Sequence, residues 1–231
     1  INLCVNFFDT ANMYSKGESK RILGNTLEGR REKMVVGTKV FHPMDSDGPN
    51  SGGLSRKTIK QELEASRERL GMDAIDLYQI HRWDYDIPVK QTMRAFDDAV
   101  RREKVRYLGA SSMWTHQFAE AQHTAERQGL DRFQTMQNHY SLLYREEERE
   151  MLPYCEKNNV GVIPWSPLAR GYLARPHEEF DATARGQSDS YAKEHPYFEG
   201  NGQEINERVQ ELATDKDVSM AQIALSWVLH K

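Results

Sequence analysis

Six short apolar runs rich in β-branched residues recur along the chain, and stretches with helical spacing separate them. The apolar runs occupy residues 3–8, 34–38, 74–80, 105–110, 134–137 and 160–164. The helical patterns cover residues 18–28, 56–70, 89–102, 116–128, 145–158 and 218–231. Continuous apolar strands joined by helices of about ten or more residues are typical of a parallel sheet covered by helices. The chain is therefore predicted to be an α/β protein.

Two parallel-sheet architectures fit this alternation, and the turns after the strands distinguish them. A doubly wound sheet usually carries a glycine-rich GxGxxG turn after its first strand. In this sequence the turns after the first three strands carry Asp9, Lys39 and His81 instead. The pattern favours a (β/α)8 TIM barrel, whose functional residues lie on the loops after the carboxyl ends of the strands.

The ends of the sequence indicate that this barrel is incomplete. The chain begins without an initiator Met and stops within an amphipathic helical pattern. A closed barrel of this type has eight strands, and six are predicted here, so we expect the first and last strands to lie outside residues 1–231. We predict a single domain, residues 1–231, truncated at both ends.

Composition and charge exclude several classes of protein. The chain has 31 Lys and Arg against 35 Asp and Glu, a formal charge of −4, and no basic stripe of the kind that binds nucleic acid. No apolar run approaches the ~20 residues of a membrane span. Cys4 and Cys155 form no CxxC motif and no Cys/His cluster, which argues against a disulfide framework or a metal site. We expect a cytoplasmic protein that acts on a small molecule, and the sequence leaves its oligomeric state open.

Two connections between predicted elements are long and polar. They cover residues 41–54 and 172–203, and both are rich in Gly, Asp, Ser or Asn. Both would lie on the side of the barrel that carries the functional loops. Long loops at such places often act as lids or determine specificity.

Four polar side chains of complementary chemistry follow three successive strands: Asp9, Tyr14, Lys39 and His81. A phenol has an ordinary pKa of ~10, which is high for proton donation at neutral pH, and a nearby ammonium stabilises the phenolate. Lys39 would supply that charge, Asp9 would hold Lys39, and His81 would hydrogen-bond the same reacting oxygen. Each residue alone has an ordinary structural explanation. Their coincidence at three consecutive strand ends predicts a site that protonates a carbonyl oxygen.

Six motifs in this order resemble the aldo-keto reductase superfamily: DTANMY, GTK, DLYQIHRWD, VRYLGASS, MQNHYSLL and IPWSPLARG. The resemblance covers essentially the whole chain. Within the superfamily the sequence is most similar to the aryl-alcohol-dehydrogenase-like branch, because of the segment REEEREMLPYCEKNNVGVIPWSPLARGYLARP.

The resemblance implies an NADPH-dependent reduction of a carbonyl group to an alcohol. Tyr14 would be the acid, Lys39 and Asp9 would tune it, and His81 would orient the substrate. Preference for NADP(H) over NAD(H) follows from the resemblance alone, because the segment that decides it in this family lies after the eighth strand.

The resemblance also implies binding positions for cofactor and substrate. Three residues would hydrogen-bond the nicotinamide carboxamide: Ser111, Ser112 and Gln137. Trp165 would stack on the nicotinamide ring. The pyrophosphate would lie against Ser166, Leu168, Arg170 and Gly171. Expected walls of the substrate site are Arg82, Trp83, Trp114 and Tyr140.

Two other functions remain open at this point. Regulatory β subunits of potassium channels share this fold and keep a similar set of four residues, so a cofactor-binding regulatory subunit is an alternative. A sugar-phosphate isomerase or aldolase barrel is another, in which Lys39 would form a Schiff base.

Overall fold

The computed structural model describes residues 5–44 and 51–231. The beginning of the predicted strand 3–8, Cys4 and the middle of the predicted loop 41–54 lie outside the described residues. Within the described ranges, no helix is both long enough and apolar enough to cross a bilayer.

Six strands form one parallel sheet whose order follows the chain, β1-β2-β3-β4-β5-β6. The strands are β1 Phe7–Asp9, β2 Val35–Val40, β3 Ile75–Ile80, β4 Val105–Ser111, β5 Phe133–Gln137 and β6 Gly161–Val162. A doubly wound sheet would reverse its strand order at the switch point, whereas a barrel adds each strand beside the previous one. The described strands therefore have the arrangement of part of a (β/α)8 barrel, which confirms the predicted fold class.

Nine α-helices occur in the described residues. They are α1 Glu18–Leu27, α2 Arg56–Leu70, α3 Val89–Arg101, α4 Thr115–Gln128, α5 Met151–Lys157, α6 Ala184–Ser188, α7 Ser190–Glu194, α8 Gly202–Asp215 and α9 Met220–Leu229. The predicted helix 145–158 is divided into a 3-10 turn at Glu146–Glu148 and α5. Pro153 explains the division, since proline fits only the first turn of a helix and thereby sets the start of α5 near Met151.

The segment predicted as a polar loop, 172–203, contains short helices. These are α6, α7 and 3-10 turns at His177–Ala182 and Pro196–Phe198. Elements of one or two turns leave too short a periodic pattern to be recognised from sequence.

The chain forms two compact units. The first comprises Ile1–Gln137 and Tyr154–Val162 and holds the sheet. Its core includes a row of aromatic rings between the sheet and α3 and α4: Tyr78, Phe96, Phe133 and Phe118, with successive ring centroids 5.1, 6.1 and 6.1 Å apart. The second unit comprises Asn138–Pro153 and Ile163–Lys231, and its own core includes Tyr172, Phe180, Tyr197 and Val209. A single domain over 1–231 stays a prediction.

Candidate active site

The carboxyl ends of β1 and β2 bring Asp9 and Lys39 into direct contact. The Lys39 ammonium is fully buried and donates to Asp9 Oδ2, and it also donates to the carbonyl oxygen of Thr10 at 3.0 Å. The other carboxylate oxygen of Asp9 accepts from Gln79 Nε2 at 2.9 Å. Gly37 leaves room for this pair, since a Cβ at that position would lie 3.2 Å from Asp9 Oδ1. The three strands β1, β2 and β3 thus fix the carboxylate and the ammonium.

Tyr14 lies over this ion pair. It begins a 3-10 turn after β1, in which the next three residues have positive φ angles. The Lys39 Nζ atom is 5.1 Å from the centroid of the Tyr14 ring. The His81 ring lies edge-on to the same ring, with centroids 5.8 Å apart and an interplanar angle of 83°. Tyr14 is 38% exposed to solvent. The structure therefore brings together all four residues predicted from the strand ends.

Burial controls the charge of this group. It lowers the pKa of Lys39, the Asp9 carboxylate opposes that effect, and the Arg82 guanidinium adds to it. Burial also lowers the pKa of His81 to about 2, with smaller contributions from Lys39, His42 and Arg82. His81 is consequently a neutral imidazole at physiological pH and can donate one hydrogen bond. In the described part of the chain, its Nδ1 atom has no hydrogen-bond partner.

Gln79 belongs to this site, and sequence reasoning missed it because it lies inside an apolar strand. Its position could have indicated it: Gln79 pairs in register with Lys39 and precedes His81, the residue directly after β3, by two residues, so the two side chains point the same way. Gly109, its register partner on β4, makes space for it, since a Cβ there would lie 2.9 Å from Gln79 Cγ.

His42 is a second residue that the sequence did not reveal. Its ring meets the His81 ring edge-on at 4.8 Å and the Phe41 ring at 5.3 Å. Asn12 Nδ2 donates to the carbonyl oxygen of His42 at 3.1 Å, which holds this part of the loop after β2. Burial lowers the pKa of His42, and Arg82 contributes in the same direction.

The three predicted substrate residues of the first unit differ in their distance from this group. Arg82 follows His81 and donates through Nη1 to its carbonyl oxygen at 2.9 Å. Trp83, the residue after Arg82, is half-buried. Trp114 is 67% exposed at the start of α4, where its backbone N–H donates to Gln117 Oε1 at 2.9 Å. Within the described residues, the Trp114 ring contacts neither the Tyr14 ring, the His81 ring nor the Lys39 ammonium.

Ser111 and Gln137 end β4 and β5 and are paired in register. Both are buried. The backbone N–H of Ser112 donates to the Gln137 carbonyl oxygen at 3.2 Å, and the two serine hydroxyls lie 3.1 Å apart. A hydroxyl pair and an amide at adjacent strand ends are the donors and acceptors that a carboxamide requires.

Trp165 lies in the second unit and stacks on His139, with centroids 4.2 Å apart and an interplanar angle of 13°. The opposite face of His139 stacks on Tyr144 at 4.3 Å, and its Nε2 is 2.7 Å from the hydroxyl of Tyr197. One face of Trp165 is therefore covered by protein, so a nicotinamide could stack only on the other.

The predicted pyrophosphate segment forms a tight series of turns. Ser166 and Ala169 have φ angles of +52° and +46°, and Gly171 has +104°. The backbone N–H of Gly171 donates to the carbonyl oxygen of Leu168 at 2.9 Å, and the Leu168 side chain packs on the core of the second unit.

Arg170, the cation of that segment, is already paired. Its Nε and Nη2 atoms lie 2.8 and 2.7 Å from Asp189 Oδ2, and its guanidinium lies 4.9 Å from the centroid of the Tyr191 ring. A phosphate would therefore compete with Asp189 for this guanidinium.

Tyr140 does not fit its predicted place in a substrate wall. It is buried, its hydroxyl donates to Glu148 Oε1 at 2.6 Å, and its ring stacks on Trp227 at 5.3 Å. These contacts occupy the side chain within the second unit.

Comparisons with known proteins identify the family of this chain. The Aldo/keto reductase family model matches residues 1–231. The chain is 45% identical to aldo-keto reductase AMT2 of Alternaria alternata, over 97% of this chain and 67% of that protein. It is 43% identical to the putative aryl-alcohol dehydrogenase AAD16 of Saccharomyces cerevisiae, over 97% of this chain and 71% of that protein. It is 41% identical to versiconal hemiacetal acetate reductase of Aspergillus parasiticus, over 99% of this chain and 72% of that protein. The predicted resemblance is confirmed, including its aryl-alcohol-dehydrogenase-like branch: the chain belongs to the aldo/keto reductase family and is an NAD(P)H-dependent oxidoreductase.

Proposed function

We propose that this protein is a cytoplasmic, NADPH-dependent carbonyl reductase that converts aldehydes or ketones to alcohols, with Tyr14 as the general acid. The observation that carries this proposal is the placement of the accessible Tyr14 ring 5.1 Å from the buried Lys39 ammonium and edge-on to His81. An acid, a stabilising cation and a neutral hydrogen-bond donor are what protonation of a carbonyl oxygen requires.

Asp9 and Lys39 act on the acid rather than on the substrate. Burial favours the neutral amine of Lys39, and the Asp9 carboxylate counteracts this by stabilising the ammonium. The ammonium in turn stabilises the phenolate that remains when Tyr14 gives its proton to the substrate oxygen. Gln79 keeps Asp9 in position by donating to its second oxygen.

His81 binds and orients the carbonyl oxygen. Because its pKa lies at about 2, it is neutral and does not compete with Tyr14 as the proton source. A neutral imidazole can donate one N–H to the substrate oxygen and align it with the phenol.

The residues at the ends of β4 and β5 suit a nicotinamide cofactor. Ser111, Ser112 and Gln137 would hold the carboxamide, Trp165 would contact the ring, and Arg170 would bind phosphate after releasing Asp189. When bound, the reduced nicotinamide supplies the hydride. NADP(H) rather than NAD(H) is part of the proposal.

The test is Tyr14→Phe, with NADPH oxidation measured on a panel of aromatic and aliphatic aldehydes. Loss of general acid catalysis typically costs about 10²- to 10⁴-fold, so kcat should fall by that factor while the Kd for NADPH changes little. Tyr107→Phe is the control, because Tyr107 is an exposed β4 residue. Unchanged turnover in Tyr14→Phe would contradict the assignment of the acid.

The same measurements address the alternatives. The Lys39 amine is fully buried and bonded to Asp9 and Thr10, which disfavours a Schiff base, and borohydride should not trap a carbonyl compound on it. Rapid steady-state reduction of simple aldehydes would count against a regulatory subunit of the potassium-channel β type.

A further inference from the structure

Arg82 forms no ion pair with a carboxylate in the part of the chain that the structure describes. It is half-buried, and its Nη1 atom donates a hydrogen bond to the carbonyl oxygen of His81. Among residues 5–44 and 51–231, no carboxylate oxygen lies within 4.0 Å of its guanidinium. Two other half-buried arginines are paired, Arg31 with Asp76 at 2.6 Å and Arg170 with Asp189 at 2.7 Å. Arg69 resembles Arg82 in having no ion pair within the described residues, but it lies on α2 and not beside His81.

The described side chains near Arg82 do not compensate its charge either. The Asp9 carboxylate is occupied by Lys39 and Gln79, and the imidazoles of His42 and His81 favour their neutral forms. The positive charge of Arg82 acts on three of these neighbours, lowering the pKa of Lys39, His42 and His81. The hydrogen bond from Arg82 Nη1 to the His81 carbonyl oxygen places the guanidinium beside the proposed reaction centre, to which it adds a positive charge.

The loop that carries Arg82 is held firmly. Asp84, two residues on, accepts from the backbone N–H of Leu54 at 2.7 Å and of Asp86 at 2.9 Å. The Asp84 hydrogen bonds hold the loop just after Arg82, and the guanidinium itself is held by its bond to the His81 carbonyl oxygen. A guanidinium fixed in this way loses little conformational freedom when it binds a ligand, and its planar donors suit a carboxylate.

We propose that Arg82 is an anion subsite within the substrate site, and that the preferred substrates are aldehydes or ketones that carry a carboxylate group. This inference rests on the proposed function and specifies its substrate class. The substrate carboxylate supplies a counter-charge that the described residues do not give Arg82, while Tyr14 and His81 bind the reacting carbonyl.

The experiment compares acid and ester forms of one substrate in the full protein. The substrates are the ortho, meta and para isomers of carboxybenzaldehyde and the methyl ester of each, since a methyl ester removes the charge and keeps the ring. The measured quantity is the ratio of kcat/KM for acid to that for ester. A charge-assisted hydrogen bond implies a ratio of about 10 to 100 for at least one isomer.

Variants test whether Arg82 causes this preference. Arg82→Met should lower the ratio about 10- to 100-fold, and Arg82→Lys should keep part of it because the charge remains. Arg94→Met is the control, because the Arg94 guanidinium contacts Gln128 on the exposed surface, and it should leave the ratio unchanged. A ratio near 1 for all three isomers, or one that Arg82→Met does not alter, would overturn the inference.

A binding measurement separates this inference from the proposed reaction. Calorimetry compares 4-(hydroxymethyl)benzoate with 4-(hydroxymethyl)benzamide, an anionic and a neutral product analogue, on wild type and Arg82→Met. Tighter binding of the anion that disappears in Arg82→Met supports the subsite even if no aldehyde is reduced, in which case the proposed function fails instead. Equal binding of the two analogues by wild type overturns the subsite.

Discussion

Lys20 is a buried amine outside the proposed site, and its removal should stabilise the protein. It lies on α1, is fully buried, and donates through Nζ to Ser66 Oγ at 2.6 Å. Burial lowers its pKa from 10.5 to about 7, with a further contribution from the neighbouring Arg69. Lys20→Met replaces the amine with an apolar chain of similar length, and the Ser66 hydroxyl keeps its bond to the carbonyl oxygen of Glu62 at 2.6 Å.

The pKa of Lys20 sets the size and the pH window of this effect. Between pH 7 and 10.5 the unfolded lysine holds a proton that the folded one has lost, so stability increases with pH across this window. Below pH 7 both states are protonated, and keeping the buried ammonium costs the fold about 5 kcal/mol at 1.36 kcal/mol per pKa unit. From pH 7 to pH 9 the wild type should gain about 2 kcal/mol relative to Lys20→Met.

Urea unfolding followed by tryptophan fluorescence at pH 7 and pH 9 measures this difference. Lys20→Met should be the more stable protein at pH 7, and its advantage should shrink at pH 9. The control is Lys57→Met, on an exposed position of α2, whose difference from wild type should be the same at both pH values. The reasoning about the buried amine is refuted if the difference in free energy of unfolding between wild type and Lys20→Met is the same at pH 7 and at pH 9.

Two further predictions concern the site and its support. Because His81 is neutral above a pKa of about 2, His81→Gln should lower kcat/KM without removing any ionisation seen for wild type between pH 5 and 8; a wild-type ionisation that vanishes in the variant would contradict this. Gly109→Ala should destabilise the fold by about 1–3 kcal/mol in thermal or urea unfolding and lower kcat, since its Cβ would lie 2.5 Å from Thr135 Oγ1 and 2.9 Å from Gln79 Cγ. Gly161→Ala is the matched control, because its nearest neighbouring atoms lie 3.6 and 3.7 Å away, and equal losses in the two variants would argue against crowding as the cause.

The sheet and the strand-end residues could be predicted from the sequence because both follow from local patterns. Short apolar runs predicted all six strands, and in a parallel sheet consecutive strand ends lie at one edge, which places Asp9, Lys39 and His81 together. Gln79 could not be recognised in this way, because a polar residue inside a buried strand acquires meaning only from its register partner.

The partners of the predicted phosphate residue were also hidden in the sequence. Arg170 pairs with Asp189, which is 19 residues further along the chain and lies in a segment without a recognisable period. Such a pairing depends on how the short helices α6 and α7 pack, and no local pattern encodes it. Conversely, the position of Tyr140 within the motif MQNHYSLL suggested a substrate wall, although its hydroxyl is bonded to Glu148.

Asp84 links two loops near Arg82. Its carboxylate joins the end of the loop after β2 to the loop after β3, and Gly53 fits against it so closely that a Cβ would lie 2.8 Å from Oδ2. Gly53 and Leu54 are therefore tied to the loop after β3, and a change of length in that loop should shift both Arg82 and this junction. Directed evolution toward bulkier carbonyl compounds should accordingly select paired changes in both loops, and single-loop libraries should yield mainly inactive clones.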